Sequence, residues 1–270
     1  MTRLLTAAFL IPSVWYLCKR APFVLFLAAA LLLATLAAWE CAAIFRHRGS
    51  RPFSWLAVAA SFGIVAAFAA EPPLAAAVAV MTGAVLVSAT CAMLRRDTPE
   101  AMLDTTMTTL FPVFFVGLPF AYVVGLRTIP GENGPDLLLL AMLCVTLSDS
   151  GAYYAGSAFG SRRMAPVISP KKSWEGAAGG VLASVAGAVI AHAWFFRRLS
   201  LAHAVALGVI LCAAGILGDL AESMLKRAAG VKDSSALLPG HGGVLDRVDS
   251  LLVAAPVLYY YWRLFLARTV

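Results

Sequence analysis

Residues 22–45 read Pro22-Phe-Val-Leu-Phe-Leu-Ala-Ala-Ala-Leu-Leu-Leu-Ala-Thr-Leu-Ala-Ala-Trp-Glu40-Cys-Ala-Ala-Ile-Phe45, with Glu40 the one charged side chain. A helix needs roughly 20 predominantly apolar residues to cross the hydrocarbon core of a bilayer, and this stretch supplies them. Stretches of the same kind recur at 4–18, 53–70, 74–94, 106–126, 136–158, 176–196, 201–221 and 249–266, which makes nine. The whole chain agrees: 61% of its 270 residues are apolar and 13% are charged. A soluble domain of this size has no interior large enough for so much apolar surface, and a disordered chain has the opposite composition. The reading is therefore an all-α polytopic integral membrane protein of about nine helices. It is one membrane domain, with N-terminal helices over 1–135 and a C-terminal region over 136–270. Met1-Thr2-Arg3 and the apolar run after it lack a small-residue cleavage site and are read as a retained first helix.

The net charge of +7 does not imply nucleic acid, because Lys and Arg collect in cytoplasmic loops and meet anionic lipid. One side of the expected topology holds Arg3, Arg46, Arg48, Arg51, Arg95, Arg96, Arg162, Arg163, Lys171, Lys172, Lys226, Arg227, Lys232 and Arg247, fourteen of the 21 basic residues. The positive-inside rule puts that side in the cytoplasm. Cys18, Cys41, Cys91, Cys144 and Cys212 lie in or beside apolar runs without CxxC spacing, so they read as small buried hydrophobes. Tyr259, Tyr260, Tyr261 and Trp262 read as an interfacial aromatic belt. Gly176, Gly179, Gly180, Ala183 and Gly187 read as a stripe for close helix packing. Glu40, at membrane depth, is expected to make a polar contact between helices.

Acidic residues mark the functional half. Asp149, Glu175, Asp219, Glu222, Asp233, Asp246 and Asp249 follow residue 148, several inside or beside apolar helices, where an ionisable group is costly. Asp219, Glu222 and Lys226 share one face of a helix at i, i+3 and i+7, and Asp246, Asp249 and Ser250 share another at i, i+3 and i+4. Two rows of carboxylates suit a hard cation, and magnesium completes its octahedron with waters and substrate phosphates. Between the rows stands Pro239-Gly240-His241-Gly242-Gly243, whose glycines let backbone amides approach an anion. Lys226, Arg227, Lys232 and Arg247 surround it. Carboxylates for a metal, an amide-rich loop and a basic collar together suit phosphoryl or nucleotidyl transfer. Neither a GxSxG elbow nor a Cys–His pair offers a protein nucleophile.

Residues 218–250 also carry a signature. Ser223-Met224-Leu225-Lys226-Arg227, Lys232-Asp233 and Pro239-Gly240-His241-Gly242-Gly243-Val244-Leu245-Asp246-Arg247-Val248-Asp249-Ser250 resemble the phosphatidate cytidylyltransferases, the CDP-diacylglycerol synthases. Ser148-Asp149, Ala152-Tyr153 and Ser169-Pro170-Lys171-Lys172-Ser173-Trp174-Glu175-Gly176 extend the resemblance, which covers about 148–250. It implies an enzyme of phospholipid biosynthesis in the plasma membrane. CTP and phosphatidic acid would be condensed at the cytoplasmic face to CDP-diacylglycerol and pyrophosphate. It also implies magnesium, a second cation such as potassium, and a homodimer.

The residues expected to carry the reaction are Asp219, Asp246 and Asp249 as metal ligands, with Lys226 and His241. His241 would make a phosphate contact or move a proton. Asp149 would join the ligands or orient the ribose. Lys171, Lys172, Ser173, Arg227, Lys232, Gly240, Gly242, Gly243 and Arg247 are expected to bind substrate. Rival readings are a CDP-archaeol synthase, a polyprenol kinase and a cation-coupled transporter. A CDP-alcohol phosphotransferase is disfavoured because its DGxxAR-type motif is absent. Against a transporter stand the missing internal repeat and a charged cluster at the membrane edge.

Overall fold

The computed structural model of the chain describes residues 12–70, 73–235, 237 and 242–267. Among these the helices are α1 (12–19), α2 (Phe23–His47), α3 (Ser54–Ala67), α4 (Pro73–Leu94) and α5 (Pro99–Pro112), followed by α6 (Leu118–Arg127), α7 (Asn133–Phe159), α8 (Trp174–Trp194), α9 (Leu201–Ala228) and α10 (Leu245–Tyr261). Their starts follow local chemistry. Thr98 accepts from the Ala101 amide with Pro99 at the first helical position, and Ser173 and Ser200 accept from the Gly176 and His203 amides. Such caps satisfy amides that have no partner within the helix.

Six helical spans are long and apolar enough to cross a membrane: Phe23–His47, Leu74–Leu94, Pro99–Arg127, Asn133–Phe159, Trp174–Trp194 and Leu201–Ala228. The expected count of nine is not reached among the described residues. Helix α3 has 14 residues, roughly 21 Å at 1.5 Å per residue, and α10 has 17. The stretch expected over 106–126 begins earlier, at Pro99. Pro112 lacks the N–H that would continue the helical ladder, and a π-helical turn over Val113–Gly117 carries the chain from α5 into α6 as one span.

The segment between α7 and α8, expected to be loop, contains two short strands. β1 (Arg163–Ala165) and β2 (Ser169–Ser173) pair antiparallel, with Arg163 opposite Ser173. Glu175 anchors this hairpin, accepting from the Ser161 hydroxyl at 2.8 Å and from the Ser161 and Arg162 amides.

Lipid tails are as apolar as leucine, so helices in a bilayer associate through close packing more than through hydrophobic gain. Helix α2 buries Ala30, Ala34, Ala37, Ala38 and Cys41 along one face. Helices α7, α8 and α9 pack together, and the small-residue stripe acts as expected. A Cβ on Gly179 would collide with the Ala155 methyl, and one on Gly151 would lie 2.5 Å from that of Ala183. Helix α10 contacts α2, α6, α7 and α9 and so binds the two halves into one body. The aromatic run expected as an interfacial belt also packs against the bundle, with Tyr260 half exposed. The Tyr122 and Tyr260 hydroxyls lie 2.7 Å apart, Tyr261 meets His203 Nδ1 at 2.8 Å, and Trp262 is buried. The five cysteines are free, and four of them are buried.

Candidate active site

The C-terminal turns of α2, α7 and α9 and the N-terminus of α10 meet at one end of the bundle. The opposite end is held by Lys19, which pairs with Glu132 at 2.9 Å and with Asp136. There the Lys19 ammonium holds the exposed Glu132 carboxyl below its usual range.

At the functional end the hairpin folds over α7, α8 and α9 and closes a cavity of about 260 Å³. Asp149, Tyr153, Lys171, Lys172, Ser173 and Asp219 line it. Lys172 reaches across from β2 to Asp219 on α9, Nζ to Oδ2 2.6 Å. Ser223, one turn after Asp219, donates to its other oxygen at 3.2 Å. Ser173 is partly spent on structure, since its hydroxyl caps α8.

A second group lies between α9 and α10. Lys226 Nζ donates to Glu222 Oε2 at 2.9 Å and to Asp246 Oδ1 at 2.6 Å. Asp246 Oδ2 accepts from the Ser234 amide (3.1 Å), the Ser234 hydroxyl (2.9 Å) and the Gly243 amide (2.8 Å). The i, i+3, i+7 row is thus divided: Glu222 and Lys226 meet Asp246 at the α9–α10 contact, whereas Asp219 faces Lys172 in the cavity. Asp249 stands between the two groups, within electrostatic reach of Asp219 on one side and Lys226 on the other. Helices α9 and α10 approach so closely here that a Cβ on Gly218 would strike the Asp249 carbonyl.

These positions bear on the expected metal centre. Asp149, Asp219 and Asp249 repel one another, and among the described residues Lys172 is the one lysine ion-paired with any of them. An excess of hard oxygen donors over nearby cations fits a hard divalent ion. Among the described residues, no group of three or more His, Cys, Asp or Glu side chains is arranged to hold a metal ion by itself. Asp246 is not grouped with Asp219 as expected, because Lys226, Ser234 and Gly243 hold both of its oxygens. The donor set is open, and magnesium characteristically leaves several positions to water and substrate.

The other expected residues are more scattered. Lys171 is exposed at the cavity mouth, and Lys232 and Arg247 are exposed beside the second group. Arg227 donates to the carbonyls of Ile168 and Val231, which ties the hairpin to the end of α9. Gly242 has φ +78, in the left-handed region that favours glycine. Gly240 and His241 lie outside the described residues. One participant escaped the sequence reading: Ser234, which no motif singled out. Tyr153, one helical turn after Asp149, lines the cavity, one of the two places its spacing allows.

Fold and site together define a polytopic membrane protein with an oxygen- and amine-lined polar site at one end of its helices. The chain belongs to the cytidylyltransferase family, whose sequence profile matches residues 1–265. It is 38% identical to a phosphatidate cytidylyltransferase of Pseudomonas aeruginosa over 261 residues, 94% of each chain. It is 47% identical over 134 residues to the phosphatidate cytidylyltransferase of Haemophilus influenzae, covering 48% of this chain and 46% of that one. With the Bacillus subtilis enzyme of the same name it shares 38% over 151 residues, 56% of each. The aligned part thus spans about half the length of the last two and nearly all of the first.

Proposed function

We infer that the chain condenses CTP with phosphatidic acid, giving CDP-diacylglycerol and pyrophosphate. The observation that carries this is the cavity in which Lys171 and Lys172 stand beside Asp149 and Asp219. A phosphate oxygen of the lipid attacks the α-phosphorus of CTP, the bond to the β-phosphate oxygen breaks, and pyrophosphate leaves. No protein nucleophile is needed, so the residues position charge. Lys171 and Lys172 attract the triphosphate into the cavity, and Asp149 orients the ribose or joins the cation ligands. Lys226, fixed between Glu222 and Asp246, presents its ammonium to a phosphate oxygen, with Arg227, Lys232 and Arg247 around it.

Magnesium, held by Asp219 and Asp249 with Asp149 beside them, would neutralise part of the charge of two phosphate-bearing substrates. A second cation such as potassium and assembly as a homodimer belong to the same proposal. So does a multi-pass location in the plasma membrane with the site toward the cytoplasm. That orientation is supported by Arg46, Arg51 and Arg95, which line one open cavity together, and by the lysines and arginines of the site itself.

Pyrophosphate release by the purified protein tests the reading, with phosphatidate, an isoprenoid ether phospholipid and a polyprenol offered in turn, with and without magnesium. Release that requires CTP, phosphatidate and magnesium is expected. Release with the polyprenol or the ether lipid in place of phosphatidate would assign the chain to a rival reaction.

A further inference from the structure

Glu40 is fully buried in α2, a helix that supplies none of the residues assigned to the reaction. Four donors from the other half of the chain converge on it. Its Oε1 accepts from the Ser235 hydroxyl at 2.6 Å and the Val244 amide at 3.0 Å. Its Oε2 accepts from the Leu245 amide at 2.7 Å and the Ser234 hydroxyl at 3.2 Å. None of the salt bridges among the described residues involves it. Val244 and Leu245 begin α10, where helical amides have no partner within the helix. A side chain from α2 therefore does the work of an N-cap for α10, and each of its oxygens takes one amide and one hydroxyl.

The contact reaches further than a cap. Ser234 Oγ lies within hydrogen-bond distance of Glu40 Oε2 and also of Asp246 Oδ2, at 3.2 and 2.9 Å. A hydroxyl has one proton, so it serves one carboxylate at a time and holds the two in a fixed relation. Asp246 in turn sets Lys226, and Lys226 sets Glu222. Gly243 packs into the same knot, where a Cβ would lie 2.6 Å from Glu40 Oε2.

We propose that Glu40 is a positioning residue of the active site, holding the 234–235 and 243–245 segments so that Asp246 faces Lys226. This rests on the cytidylyl-transfer reading above. A residue that only stabilised the bundle would change the amount of folded enzyme and leave turnover per folded molecule unaltered.

The test compares wild type with Glu40→Gln, Glu40→Asp, Ser234→Ala and the double variant Glu40→Gln/Ser234→Ala. Pyrophosphate release is measured against CTP at saturating phosphatidate, alongside thermal unfolding. Gln replaces one acceptor oxygen by an NH2 that faces a backbone N–H, so that bond must break, while the serine hydroxyl beside it can only turn to accept. Loss of a supporting partner of this kind costs about 10–100-fold. That fall is expected in kcat, with the CTP KM within about threefold of wild type. Ser234→Ala should show a smaller fall, and the double variant should be no worse than Glu40→Gln, because both act through one link. Glu40→Asp, which keeps two acceptor oxygens, should recover part of the rate.

A folded Glu40→Gln protein with wild-type kcat would overturn the proposal, as would independent, multiplying losses in the double variant. If Glu40→Gln fails to fold, Ser234→Ala decides by the same kcat criterion. Residue-resolved hydrogen exchange reads the link without turnover, so it stands even if the assigned reaction fails. Gly243 donates to Asp246 and not to Glu40. Faster exchange at the Gly243 amide in either single variant is expected, and unchanged protection there would contradict the role.

Discussion

Lys172 Nζ lies 2.6 Å from Asp219 Oδ2, and this pair joins the hairpin to α9 across the mouth of the cavity. Both side chains are partly exposed, at 22% and 35%, so the pair contributes at most about 1 kcal/mol to stability. Its importance is chemical. Asp219→Asn keeps the size of the side chain and removes its charge. Turnover should fall by roughly 100-fold or more, with the unfolding midpoint nearly unchanged. Lys172→Ala should instead act mainly on the CTP KM. Calorimetry and initial-rate kinetics on the two variants separate these outcomes, and a large loss of stability in Asp219→Asn would contradict the site assignment.

Lys226 differs because it is buried between two acids. Glu222 is 1% exposed and the lysine 11%, so Lys226→Ala strands charge in the interior. Breaking a buried pair in this way costs about 3–5 kcal/mol, and substrate binding should weaken with it. Extra magnesium should not restore activity. Glu222→Gln added to Lys226→Ala should recover a measurable part of the stability, because it removes one stranded carboxylate. Thermal unfolding of the single and double variants checks this, and equal midpoints would argue that Glu222 carries no charge there.

Much of this site is written in local spacing, and the parts that are not have physical reasons. Asp219, Glu222 and Lys226 fall on one face because a helix repeats every 3.6 residues, and Asp246 and Asp249 do likewise. Periodicity describes a face but not what lies opposite it. It therefore could not separate Asp246 from Asp219, nor bring Ser234 to either. The hairpin over 163–173 escaped because its strands are short and polar and carry Pro170. Among the described residues six spans stand where nine apolar stretches were expected, because apolar composition alone does not distinguish a full span from α3. A polar contact for Glu40 was readable from its depth, but its partners, two hundred residues away, were not.

Gly242 has φ +78, and a Cβ there would lie 2.9 Å from Asp246 Oδ2. Gly242→Val should leave the protein inserted and folded yet raise the CTP requirement sharply, because valine is strained in this backbone region and crowds Asp246. Normal CTP kinetics in the folded variant would show the loop to be only a turn.

Gly179 tests the bundle rather than the chemistry. Gly179→Val places a branched side chain where a Cβ alone collides with Ala155. Helices α7 and α8 would have to separate, and the cavity with them. The yield of folded protein and its unfolding midpoint should both drop, whereas Gly83→Val, at a glycine with nothing within 4 Å of an added Cβ, should be tolerated.

The central claim is that this cavity transfers a cytidylyl group to a lipid phosphate. The most direct measurement uses purified protein with CTP labelled at the α-phosphorus and phosphatidate in mixed micelles, followed by solvent extraction. The label should pass into the organic phase in equal amount to the pyrophosphate released, only when phosphatidate is present, and not with Asp219→Asn. Label that stays in the aqueous phase while phosphatidate and CTP are both supplied, or transfer that persists at full rate in Asp219→Asn, would contradict it.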